Sequence, residues 1–140
     1  MGLPFLAVEL VSREALRHAR PNADAFARTS PVDESDAVYF YTRDVPEGEK
    51  PCDVQARMFH PGASGLSEDP ATGSATAAAA ALLAELEGRA DGEFKLRIGQ
   101  GVDMGRPSLL LTRVVKRGGK VVSVHVGGGC APMMEGTFWL

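Results

Sequence analysis

From Ser74 to Ala84 the chain carries no charged side chain, and alanine fills positions 75, 77–81 and 84. Such a run propagates a helix readily. A helix with one wet face carries charge there; this one has no candidate wet face along those positions. The sequence therefore predicts a helix enclosed by sheet around most of its circumference, with alanine letting the strands approach closely. Counted from Pro70 it would run about 18 residues and about 27 Å.

Its start is punctuated by Asp69-Pro70. Pro70 fits the first helical position, where an N–H is not needed, and Asp69 then stands as the cap. Thr72 is an alternative cap, with Gly73 and Ser74 in the first turn, and both starts remain open. Either way, Ala71–Ser74 form a patch of N–H donors at the positive end of a long helix. Enclosed donors need a polar partner. A carboxylate or phosphate ligand would serve, and ordinary capping is the bland alternative. Gly62, Gly65 and Gly73 would let backbone approach a ligand.

The remainder reads as strands with turns between them. Phe5–Leu10 is an apolar strand, and so direct an opening fits a later part of a longer architecture. Ser12 and Asn22 can cap short helices over Arg13–Ala19 and Ala23–Ala27, with Arg13, Arg17 and Arg20 on a solvated face. Ala37–Arg43 is β-branched and aromatic. In Val54–Phe59, alternation sets Val54, Ala56 and Met58 against Gln55, Arg57 and Phe59. A glycine-broken loop then leads to Asp69. Glu93–Ile98 alternates with Phe94, Leu96 and Ile98 inward. Leu109–Val115 is apolar enough to be largely covered. Gly118-Gly119 signals a two-residue hairpin into Val121–Val126, with Val122, Val124 and Val126 on one face. Phe138 and Trp139 are expected to bury against the sheet. About six strands and one long helix make an α+β domain, with a mixed, largely antiparallel sheet wrapped around a central alanine-rich helix.

The 140 residues suffice for a single domain, 1–140, with a real core. A net charge of −3, with acids and bases interspersed, gives no reason to expect nucleic acid or an anionic membrane as a partner. No apolar run reaches membrane-spanning length and no signal-peptide pattern opens the chain, so a cytoplasmic protein is expected. Cys52 and Cys130 form no metal motif and read as reduced thiols. His60 lies near the Asp69 loop, while His18 and His125 make no metal cluster. Glu68 and Asp69 could perturb each other if both faced inward. Gly99–Ser108 could supply further backbone donors, with Gly101, Gly105 and Ser108 in a ligand-facing turn and Arg106 as an anion partner. It matches neither a Walker loop nor a dinucleotide fingerprint.

Three blocks, in order, carry a family resemblance. They are Ala56-Arg57-Met58-Phe59 leading to Pro61-Gly62, then Glu68-Asp69-Pro70-Ala71-Thr72-Gly73-Ser74-Ala75, then Gly99-Gln100-Gly101 with Met104-Gly105-Arg106-Pro107-Ser108. Together they resemble the second half of the phenazine-biosynthesis PhzF-like proteins, whose two similar halves each wrap a sheet around a helix as in diaminopimelate epimerase. The resemblance implies cofactor-independent isomerisation of a small carboxylate-bearing metabolite in a cleft between halves. It implies Asp69 as the catalytic acid. Thr72, Gly73 and Ser74 would hold substrate at the helix start, with Gly105, Arg106 and Ser108 from the second segment. The family's first half brings a glutamate and a Gly-His-Pro motif, and this chain has no Gly-His-Pro run. A complementary half on another chain, or a homodimer partner, is implied. A non-catalytic carboxylate-binding module is the alternative reading. Racemisation through Cys130 or Cys52 is a third.

Overall fold

One strand with two neighbours along the same edge organises the fold. In this computed structural model, which describes residues 4–29, 35, 37–49, 51–62 and 65–139, the elements follow in order. They are β1 (Leu6–Glu9), α1 (Arg13–His18), α2 (Ala23–Thr29), β2 (Val38–Thr42), β3 (Val54–Gly62), β4 (Gly65–Asp69), α3 (Gly73–Leu86), β5 (Gly92–Gln100), β6 (Ser108–Arg117) and β7 (Lys120–Gly127). The strands form a mixed seven-stranded sheet in the order β1-β2-β3-β5-β6-β7, with β4 paired to β3 off that path. The β1·β2 and β3·β5 pairings are parallel and the other four antiparallel. On one side β3 meets β2. On the other, Val54–Ala56 pair with β5 and Met58–Gly62 with β4. At this fork the end of β4 comes beside the end of β5.

Both faces of β3 are covered, which explains why Val54 to Phe59 are all buried. Val54, Ala56 and Met58 pack with Tyr39, Tyr41 and Ile98 against Ala75, Ala79 and Leu83 of α3. On the opposite face Arg57 reaches the carbonyls that end α1. The alternation read along β3 and β5 matches these faces. The caps do too: Ser12 Oγ accepts from the Ala15 N–H at 3.0 Å, and Asn22 Oδ1 from the Ala25 N–H at 2.9 Å. The Gly-Gly hairpin also forms, with φ of 56° and 79° at Gly118 and Gly119; these positive values belong to the twist-matched two-residue turn.

Several expectations give way. The helix α3 has 14 residues and starts at Gly73, so Thr72 and not Asp69 precedes it. It is covered on one side only. Ala80 and Ala84 pack with Phe94 and Val114, while Leu82 and Leu86 are 40% and 67% exposed. Alanine on every side left the wet face unmarked, which is why the sequence suggested enclosure around most of the circumference. Residues 65–69, read as loop, form β4 because β3 extends to Gly62 and offers them an edge. Likewise, β6 is buried on one face alone, with Leu109 and Leu111 outward and partly exposed. A bulge opposite Val115/Lys116 leaves Val122 without a partner, so Val121 rather than Val122 joins Val124 against the helix. Phe138 and Trp139 are 95% and 93% exposed: past Gly127 the chain leaves the sheet. Arg13 is buried, not solvated.

Arg13 lies in a network behind the fork. Its guanidinium grips Asp103 through two 2.9 Å bonds and Glu49 at 2.6 Å. Burial opposes its charge, but hydrogen bonds to Asp103 and Glu49 outweigh that and hold it firmly protonated. Arg57 forms a two-bond pair with Glu68 at 2.8 and 2.7 Å. Those bonds raise its already high affinity for the proton against the cost of burial. At the far end of α3, buried Lys116 donates to the Ala84 carbonyl at 3.1 Å, satisfying one of the helix's last acceptors.

Candidate functional site at the fork

The start of α3 sits where β4 and β5 end against β3. Asp69 is the last residue of β4, directly opposite Met58, and Glu68 is opposite Phe59. Opposed residues share a face. Asp69 therefore points to the helix side and Glu68 to the side of Arg57. The adjacent acids point to opposite faces of the sheet.

Asp69 is held by the helix start. Thr72 Oγ1 donates to Asp69 Oδ2 at 2.7 Å, and the Ala71 N–H lies 3.5 Å from Oδ1. Thr72 makes no side-chain cap bond to the helix. Its hydroxyl has been turned from the first-turn N–H groups to the carboxylate. The N–H groups of Gly73 and Ser74 belong to exposed residues at the positive end of the helix. A bound anion would meet those donors with Asp69 to one side.

The second glycine-rich segment forms the floor. Gln100, fully buried at the end of β5, accepts from the Thr72 N–H through Oε1 at 3.2 Å. Its Nε2 donates to the Asp69 carbonyl at 2.7 Å and to Thr72 Oγ1 at 2.9 Å. Gly101 follows with φ 74°, pressed against Pro70 and Arg106. The chain turns through Val102–Met104 and closes with the Arg106 N–H donating to the Gly101 carbonyl at 2.9 Å.

The structure thus brings Asp69, Thr72, Gly73 and Ser74 together. Gly105 and Arg106 lie at the exposed tip of the loop next to Gly101. Ser108 is opposite Gln100 and borders a different depression, shared with Cys52, Gln55 and Glu49. Gln100 and the ion-pair network were not singled out by sequence reasoning. The one signal for Gln100 was its place between Gly99 and Gly101. Nothing local distinguishes a buried glutamine from a surface one.

His60 lies on the helix side of β3 but is opposite Ser67, and its Nδ1 donates to the Pro61 carbonyl at 2.8 Å. Burial, first of all, pushes the Cys52 thiol up, with Glu49 and Asp53 adding to it, which disfavours the thiolate a cysteine base would need. Cys130 sits on the exposed tail, far along the chain from the fork. Among the described residues no three His, Cys, Asp or Glu side chains gather to hold a metal ion. Nor is any helix among them long and apolar enough to cross a membrane.

Comparison with known proteins finds relatives that span most of the chain. The family described as "Phenazine biosynthesis-like protein" matches residues 1–136. A Mesorhizobium japonicum protein described as an uncharacterised isomerase is 32% identical over 99% of this chain and 46% of its own length. The trans-2,3-dihydro-3-hydroxyanthranilate isomerase of Pseudomonas aeruginosa is 41% identical over 61% of the chain and 30% of its own length. In structure, the chain resembles the Bacillus anthracis phenazine biosynthesis protein of the PhzF family. The TM-score is 0.68 at 19% identity, over 86% of this chain and 44% of that one. The chain spans less than half the length of each of these relatives.

Proposed function

The chain belongs to the phenazine biosynthesis-like protein family, and we propose that it is the substrate-anchoring half of an isomerase acting on a small carboxylate-bearing metabolite without a cofactor. The observation that carries this reading is the Asp69–Thr72 bond of 2.7 Å, which leaves the first N–H groups of α3 without their usual threonine cap. Those N–H groups and the Ser74 hydroxyl would hold the substrate carboxylate. Arg106, at the tip of the neighbouring loop, would add a positive charge at the rim. Anchoring that end places the reacting carbons beside Asp69. A base on the opposing wall would take a proton from one carbon, and Asp69 would pass a proton to another. The electron pair stays in the substrate, so the reaction is an isomerisation with no oxidant or reductant.

The opposing wall is assigned to a complementary half, on another chain or from a second copy. Exposure of Leu82 and Leu86 on α3 and of Met133, Met134, Phe138 and Trp139 on the tail supports a surface that needs a cover. In the complete assembly α3 would then be the central helix of its half.

The test uses the chain together with its complementary half and trans-2,3-dihydro-3-hydroxyanthranilate, the compound named for its relatives, as probe. Asp69→Asn should abolish turnover while leaving the melting temperature nearly unchanged. Undiminished turnover would end the catalytic role of Asp69. Carboxylate binding with no turnover in any pairing would favour a binding module instead.

A further inference from the structure

Two backbone groups dictate the direction of the hydrogen bonds that run from Gln100 through Thr72 to Asp69 Oδ2. The Thr72 N–H can only donate and the Asp69 carbonyl can only accept. Gln100 meets both, at 3.2 and 2.7 Å. Rotating its amide by half a turn would set donor against donor and acceptor against acceptor, so Oε1 faces Thr72 N and Nε2 faces Asp69 O. The same Nε2 lies 2.9 Å from Thr72 Oγ1, which must therefore accept. A hydroxyl has one hydrogen. With Gln100 donating into Thr72 Oγ1, that hydrogen is delivered to Asp69 Oδ2, 2.7 Å away. Gln100 is fully buried and Thr72 nearly so, and water has little access from which to reverse the order.

We infer that Thr72 and Gln100 are positioning residues that select the working oxygen of Asp69: Oδ2 is committed to the Thr72 hydroxyl, and any proton Asp69 carries to or from a substrate resides on Oδ1. A proton on Oδ2 would face the Thr72 hydrogen, which donates to no other acceptor among the described residues while Gln100 holds its place. The transfer itself breaks one bond from hydrogen to Oδ1 and forms one from hydrogen to a substrate carbon, or the reverse, with the carboxylate charge appearing or disappearing on Asp69. The assignment of Oδ1 as the working atom rests on the isomerase reading above. The direction of the hydrogen bonds does not.

The direction is tested by neutron diffraction from crystals of the deuterated chain. The expected result is the Thr72 hydroxyl deuteron between Oγ1 and Oδ2, with the deuterated amide nitrogen of Gln100 facing the Asp69 carbonyl. A hydroxyl deuteron aimed at Gln100, or a deuteron bonded to Oδ2, would overturn the inference. The working oxygen is tested in the isomerase assay with Thr72→Val and Thr72→Ser. The valine variant keeps the shape but cannot donate, and its turnover should fall roughly 10²-fold, the order of loss for a misplaced reacting group. The serine variant should restore most of it, with both variants melting within a few degrees of the parent. Valine turning over as fast as serine and parent, while Asp69→Asn is dead, would sink the positioning role and leave the catalytic reading intact. Turnover surviving Asp69→Asn would instead remove the catalytic reading and the assignment of Oδ1, while the neutron result would still decide the hydrogen-bond order.

Discussion

Gly101 lies so tightly against Pro70 that a Cβ on it would stand 2.9 Å from the Pro70 carbonyl oxygen and 2.3 Å from that of Arg106. This contact joins the two glycine-rich segments, more than thirty positions apart in sequence, into one wall of the candidate site. Both atoms it would strike are backbone, so neither can swing aside. The glycine also has φ 74°, a left-handed backbone that other residues adopt at a cost.

Gly101→Ala should therefore destabilise the chain by about 3 kcal/mol, combining left-handed strain with overpacking. Gly105→Ala is the matched control. Its φ is similar, at 76°, but its Cβ would meet open space, and about 1 kcal/mol is expected from strain alone. Urea denaturation midpoints of the two variants measure the difference. Equal losses would mean that the contact with Pro70 contributes nothing.

Arg57 and Glu68 form a largely buried pair, with side chains 6% and 13% exposed. Arg57 also donates to the Leu16 and Ala19 carbonyls, so it ties α1 to the β3–β4 hairpin. Arg57→Met would strand Glu68 and free both carbonyls, at a cost of about 3–5 kcal/mol. Adding Glu68→Leu should recover part of that loss, because the uncompensated charge is gone. Chemical denaturation of the single and double variants checks the sign; a double variant weaker than Arg57→Met alone would contradict it.

Tyr39 is buried beneath α3, its hydroxyl 3.1 Å from Thr76 Oγ1. Burial pushes it up to about 12, with the Thr76 bond opposing. The folded chain keeps a proton that the unfolded chain gives up near its ordinary value of about 10. Stability from this group is thus complete below about pH 10 and is lost as pH rises toward 12, by at most roughly 1.4 kcal/mol per pH unit. Tyr39→Phe should flatten the stability curve across that window. Parallel alkaline unfolding curves for parent and variant would assign the loss to other groups.

Ser74 is exposed in the first turn of α3. Ser74→Ala should weaken binding of a small carboxylate to the completed assembly severalfold, with a stability change of no more than about 0.5 kcal/mol, as for surface substitutions. Calorimetric titration and thermal melting separate the two. Lost stability with unchanged affinity would make Ser74 a structural residue only.

Short-range physics made much of this legible beforehand. Alternation assigned the faces of β3 and β5, Ser12 and Asn22 marked the short helices, and Gly118-Gly119 marked the hairpin, because each depends on residues within a few positions. The alanine run located α3. What remained illegible depended on distant partners. Asp69 and Thr72 were equal candidates for the cap until Gln100, nearly thirty positions on, drew Thr72 into its own hydrogen bonds. Arg13 reads as an ordinary surface cation in sequence, and it is Asp103 and Glu49, brought near by the fold, that offset the cost of its burial; Glu68 does the same for Arg57. Residues 65–69 became a strand because β3 was long enough to offer an edge. By itself, then, the sequence determined the local elements and the residue types available to the site. The tertiary structure decided which of them meet, since a buried polar group takes its role from the partner that satisfies it.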